Sequence, residues 1–435
     1  MKYLYIIVAL FIVNNAFGQN PAPAKPQTNN ILIMGGRIHF GNGKVLQRGS
    51  ISIVNGKIES ITDLDSFKFK DTSINLKATT DIVDAHGKDI YPAFIGMNTI
   101  LGLSEIEAAR ATNDYYEVGS LNPNVRSIIA YNTDSKVPAT VRSNGVLLAQ
   151  VVPQGGTISG QSSVVELDAW NWEDAAYKID EGIHLHWPSM YINKSPNAEK
   201  EELQKEKMEK AMHNINDLFK NAKAYSMIKN PEEKNLKSES MRGLFDGTKK
   251  LYVHCNYVKE IIAAVNFCKE YGIKMVLVGG EDAWRITDLL KANDIPVVLG
   301  RSHSLPSRED EDVDLPYKLP YLLQQAGVNY CISVDGFWQV RNLSFNAGTP
   351  VAYGLTKEQA LSAITLNAAK ILGIDNTVGT IEVGKDATLI ISDGDALDMK
   401  SNNITTAFIR GKSINLDNIQ KQLYKKYMDK YGLKE

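Results

Sequence analysis

Apolar positions along the chain change their spacing twice. Over residues 31–83 they fall in short alternating runs. Ser50-Ile51-Ser52-Ile53-Val54 and Lys57-Ile58-Glu59-Ser60-Ile61 flank Asn55-Gly56, the pair best suited to a two-residue hairpin because both positions take φ > 0. Asn42-Gly43 repeats the signal. From residue 88 the texture becomes strands alternating with helices. Apolar runs of buried-strand length lie at 89–95, 145–152, 250–254, 274–278, 296–299 and 328–334. Between them Val258, Ile261, Ile262 and Val265 recur at helical spacing before Gly272, and 283–292 and 315–326 read as further helices. Repeated βα units imply parallel strands joined by right-handed crossovers, here closed into a barrel. Thr356 with Gln359 forms a capping box for a helix expected to run to Gly373. Short strands with turn glycines then return, and 418–430 is a basic amphipathic helix expected to pack on the surface.

The two β-rich ends are expected to pair with each other around the α/β middle. The boundaries that follow are a β-sandwich half at 31–87, a barrel at 88–375, the second sandwich half at 376–416 and a final helix at 417–435. A highly charged stretch, residues 195–250, reads as a solvated helical insertion in the barrel, and 308–314 as an acidic loop.

Ahead of these lies an apolar run from Tyr3 to Val13 behind Lys2. It is about half the roughly 20 residues that a membrane span needs, so 1–18 reads as a signal peptide cut after Gly18, the alternative being an uncleaved membrane anchor. Residues 19–30 read as a loose linker. The expected destination is the periplasm. Composition adds mainly exclusions. Forty-eight Lys and Arg against 50 Asp and Glu, a net charge of -2, offer no basic face for nucleic acid. With 43% apolar residues the chain has ample material for a core. Three cysteines make no disulfide framework, and Cys255, Cys268 and Cys331 are expected to be buried.

Four segments carry a family resemblance. Ile31-Leu32-Ile33-Met34-Gly35-Gly36-Arg37-Ile38, Asp84-Ala85-His86-Gly87-Lys88 with Tyr91-Pro92-Ala93-Phe94-Ile95, Thr365-Leu366-Asn367-Ala368-Ala369-Lys370-Ile371-Leu372-Gly373, and Val378-Gly379-Thr380-Ile381-Glu382-Val383-Gly384-Lys385-Asp386-Ala387 resemble the amidohydrolase superfamily, imidazolonepropionase-like branch. The resemblance implies an α/β fold, a (β/α)8 barrel plus a small β-sandwich formed by the N- and C-terminal segments. It also implies hydrolysis of carbon–nitrogen bonds other than peptide bonds, assisted by zinc or another divalent metal at the barrel mouth.

The metal motif itself is eroded. Where the family has an H-x-H on the first strand, this chain has Asn98-Thr99-Ile100, and Gly279-Gly280 stands where the strand-six histidine would be. His254 matches the strand-five ligand and Asp335 the strand-eight aspartate, which in the family is also the general base. Two ligands fall short of the three that a catalytic zinc takes from protein. The expectation is therefore no tightly bound metal, with Asp335 as the catalytic candidate and His254 and Asp335 as an incomplete metal set. The alternative to an active hydrolase is a non-catalytic homologue that partners a related amidohydrolase or binds a small molecule. Expected partners are a small-molecule substrate or ligand and a homo- or hetero-oligomeric copy of such a barrel.

Other residues compete for a role. Glu105, in an acidic stretch after the first strand, is a ligand-binding candidate, although acidic residues also suit a solvated helix start. His303, after the strand-seven run, is another. His184-Leu185-His186 could put two imidazoles on one strand face, but ordinary loop or edge histidines explain it better. Residues 153–163 read as a Gly/Ser loop without the GK[ST] of a nucleotide site. Serines near the mouth lack a G-x-S-x-G elbow.

Overall fold

The computed structural model describes residues 22–66, 80–195 and 197–433. The leader expected over 1–18 lies outside them. Five strands come first: β1 (Asn30–His39), β2 (Val45–Val54), β3 (Lys57–Asp63), β4 (Thr80–Asp84) and β5 (Asp89–Pro92). Eight more form the middle: β6 (Phe94–Thr99), β7 (Val146–Val151), β8 (Ile158–Glu166), β9 (Ala176–His186), β10 (Lys250–Cys255), β11 (Met275–Gly279), β12 (Val297–Leu299) and β13 (Tyr330–Ile332). The last are β14 (Leu389–Ser392), β15 (Ile404–Ile409) and β16 (Lys412–Ser413).

The chain ends do pair. They make one eight-stranded sheet, ordered β16-β15-β14-β5-β1-β2-β3 with β4 also on β1. This sheet curls, so that Lys57 at its far edge bridges Asp386. Inside the curl Ile33, Ile51, Ile53, Ile90, Leu389 and Phe408 form a core. Both Asn-Gly turns sit where expected, with Asn55 at φ 50 and Gly56 at φ 77. The described part of the linker, residues 22–30, is not loose. Gln27 bonds Gly56 N–H and Ile53 C=O, and Ala24 N–H donates to Asp168.

The middle strands form the second eight-stranded sheet, in the order β6 through β13. It is a nearly closed barrel. Thr99 Oγ1 on β6 reaches Gly336 O, just beyond β13, at 2.5 Å. Ile95, Met97, Leu148, Val164, Val276, Val298 and Cys331 pack together inside it.

Three sequence expectations need correction. Residues 89–95 are two strands. β5 joins the end sheet, pairing with β1 and β14, and β6 opens the barrel one residue later. Residues 153–163 are only partly loop, because Ile158 onward is buried strand, and β8 runs antiparallel to both β7 and β9. The expected helix to Gly373 is two helices, Lys357–Ala363 and Leu366–Leu372. Ile364 C=O is taken by the amide of Ile95, so it cannot continue a helical ladder.

The charged insertion is helical, over Glu201–Ser226 and Leu236–Phe245. Helix Ile419–Tyr431 lies on the surface, tied by Thr140 to Gln420 and by Asn418 to Ser143. All three cysteines are free and buried. No helix among the described residues is long and apolar enough to cross a membrane.

Candidate functional site

A cavity of about 590 Å³ opens at the C-terminal mouth of the barrel, where parallel strands of such folds present their loops to ligands. Asn98 from the end of β6, His254 from β10, Gly279 from β11, Arg301 after β12 and Asp335 after β13 line it, with Trp187 just after β9. His254 and Asp335, both named from sequence, thus share one cavity. His303 and Glu105 are not among its lining residues. The imidazole of His303 bonds Thr349 Oγ1 at 2.6 Å, although its neighbours Ser302 and Ser304 face the cavity. Glu105 Oε1 accepts from Lys136 N–H, which holds the carboxylate in the loop after β6.

His184 and His186 are not loop histidines. They end β9, where His186 is in register with His254 on β10. His184 is fully buried, and its Nδ1 lies 2.8 Å from His254 Nε2. Its ring stacks on Tyr252 at 4.7 Å, and the ring of His186 stacks on His254 at 4.2 Å with 27° between planes. Burial holds all three imidazoles below the usual histidine range, and the nearby imidazoles add to this for His184 and His254. They are neutral at physiological pH.

Beneath them lies a polar cluster with no sequence motif. Glu181, 4% exposed, accepts from Gln150 Nε2 at 2.5 Å, Ser162 Oγ at 2.7 Å and Tyr252 OH at 2.8 Å. Burial pushes its pKa up, while the three hydrogen bonds oppose that. Ser162 Oγ in turn lies 2.9 Å from His184 Nε2. The available signal was Gln150, a lone amide in the apolar run of β7, on the strand face that points inward.

The family's metal does not fit these residues. Asn98 and Ile100 offer no imidazole. At Gly279 φ is +93, and a β-carbon would collide with Asn256 Oδ1, so a histidine has no room there. His254 Nε2 is committed to His184. His186 and His254 meet through their ring faces, which carry no lone pairs for a metal. Among the described residues no three His, Cys, Asp or Glu side chains come together so as to hold an ion.

The model of the amidohydrolase family matches residues 143–414. The chain belongs to the amidohydrolase family. Within it, an imidazolonepropionase of Thermoplasma volcanium is 25% identical over 376 residues, covering 80% of this chain and 85% of that protein. An amidohydrolase of Hapsidospora irregularis is 32% identical over 114 residues, and there the match spans only 24% of this chain and 12% of the relative. The crystal structure of an amidohydrolase from Thermotoga maritima superposes with a TM-score of 0.75 at 23% identity, over 88% of this chain and 99% of that one. The barrel and the curled end sheet are those of an amidohydrolase.

Proposed function

We propose that this amidohydrolase-family protein binds a small polar molecule in its barrel-mouth cavity and does not run metal-assisted hydrolysis. One observation carries the reading. The family's ligand positions hold Asn98, Ile100 and Gly279, and the retained His254 gives its Nε2 to His184. A catalytic zinc takes about three protein ligands plus water, and this donor set does not supply them. Metal analysis of the full chain after dialysis against zinc tests it. Well under one ion per chain is expected. A stoichiometric ion that disappears in His254→Ala, with hydrolysis lost alongside, would overturn the reading.

The second reading is a hydrolase of carbon–nitrogen bonds other than peptide bonds. Asp335 favours it, because this carboxylate remains exposed in the same cavity as His254. Hydrolysis of a cyclic or linear amide that is resistant to chelators and abolished in Asp335→Asn is its signature.

Export to a periplasm is the proposal for location, resting on the apolar run from Tyr3 to Val13. N-terminal sequencing of protein from the native host should begin near Gln19, and an intact Met1 would refute it. A related amidohydrolase barrel is the proposed oligomeric partner, to be sought by size-exclusion of a co-expressed pair.

A further inference from the structure

A chain of hydrogen bonds runs from Glu181 to His254 at the cavity, and each proton in that chain can be placed by counting. Glu181 anchors it. Two of its three contacts, Gln150 Nε2 and Ser162 Oγ, address Oε1, and Tyr252 OH addresses Oε2. Oε1 already accepts an amide N–H from Gln150, so it is the acceptor for Ser162 as well, and Ser162 gives its single hydroxyl proton to Glu181. Ser162 Oγ then has only lone pairs for His184 Nε2, 2.9 Å away, and that nitrogen carries the proton. A neutral imidazole has one N–H. His184 Nδ1 is therefore an acceptor, and His254 Nε2, 2.8 Å from it, is the donor. By the same count His254 Nδ1 is bare. It has no partner among the described residues, and His254 is one of the residues that line the cavity.

We infer that the chain Glu181–Ser162–His184–His254 stands in place of a metal, and that it fixes His254 Nδ1 as the acceptor for an N–H or O–H group of a small ligand. Asp335 supplies a second acceptor in the same cavity. Two acceptors facing one space suit a ligand with at least two donor hydrogens, such as an amide, ureide or polyol. Glu181, Ser162 and His184 are positioning residues. They never meet the ligand, being 4%, 0% and 0% exposed, and act by holding one tautomer of His254.

This inference deepens the metal-free reading of the same cavity and rests on it. The test is nitrogen NMR of full-length chain labelled on histidine, at mildly alkaline pH. There are seven histidines, and His254→Asn assigns the signal of interest. The wild type should show both His184 and His254 protonated on Nε2 alone. Ser162→Ala removes the link to Glu181 and should leave His254 as a mixture of tautomers. If that variant does not fold, the wild-type tautomer still decides.

Two matched probes test the ligand side. 2-Imidazolidinone, a cyclic ureide with two N–H groups, should shift the His254 Nδ1 signal, and 1,3-dimethyl-2-imidazolidinone, which has none, should bind at least about fivefold more weakly, the discrimination expected for a hydrogen bond of about 1 kcal/mol. Equal binding of the two, or no response to either at tens of millimolar, overturns the ligand assignment. His254 protonated on Nδ1 in ion-free protein overturns the chain while leaving the metal-free reading intact. A metal-bound nitrogen signal with one ion per chain overturns both.

Discussion

At Gly182 the absence of a side chain does structural work for a neighbour. The ring of Tyr252 lies where a β-carbon would go, and from there its hydroxyl reaches Glu181. Gly182→Ala should push the ring aside, leave a buried carboxylate one donor short, and cost about 1–3 kcal/mol by overpacking. Urea denaturation measures that loss. His39 makes a second residue-scale case, far from the mouth. Its Nδ1 is 2.7 Å from Glu358 and its Nε2 is 3.3 Å from Asp89. A neutral imidazole has one proton for these two carboxylates, and only the charged ring serves both. Burial lowers its pKa, but the hydrogen bonds to Asp89 and Glu358 and their charges outweigh that and raise it. Arg37 shares Asp89, and Lys357 with Asp395 completes the charged surroundings. A group raised on folding contributes fully below its unfolded pKa, about 6.5 for histidine, and loses the contribution as pH rises through the folded value. His39→Gln should therefore be about 1–3 kcal/mol less stable than wild type in acid, with the gap narrowing above neutrality. Urea melts across a pH series decide it.

Elements whose partners are close in sequence were readable, and those shaped by distant partners were not. The hairpin at Asn55-Gly56, the helix Val258–Tyr271 and the capped start at Thr356 each follow from a few adjacent residues. The break between β5 and β6 does not. Residues on both sides of it are buried on every face, so no change of period marks the switch from one sheet to the other. The interruption at Ile364 is set by an amide on β6, a contact no local pattern reveals. The same dependence on distant partners makes β14 indispensable. It pairs with β5 on one side and β15 on the other, and Leu389, Ile390 and Ile391 are 0–1% exposed. At about 1.5–3 kcal/mol for each such side chain, deletion of residues 378–435 removes a large part of a typical 5–15 kcal/mol margin. The truncated chain should be insoluble or melt well below the full one in a thermal scan. A soluble truncation of unchanged melting temperature would mean that the end sheet stands without its second half.

On the scale of the whole molecule, the site was legible where a motif announced it and invisible where barrel closure created it. His254 and Asp335 could be named because each ends a recognisable strand segment. Gln150, Ser162, Glu181 and Tyr252 come from β7, β8, β9 and β10 and meet only inside the closed wall. Among those strands, the reversed β8 has a consequence for how the molecule comes together. Because it turns back, β7, β8 and β9 are a meander of near neighbours in sequence, whereas the end sheet must bring β5 and β14 together from opposite ends of the chain. Contacts between near neighbours form sooner, since little loop entropy is lost in making them. Pulsed hydrogen exchange during refolding should find amides of Val146–Val151 and Ile158–Glu166 protected before those of Leu389–Ser392. Until β14 arrives, one side of β5 is an open strand edge, which in any sheet invites pairing with another chain. A nascent copy of this protein thus spends most of its synthesis with its barrel under way and its first sheet unfinished, the interval in which a holding chaperone would matter most.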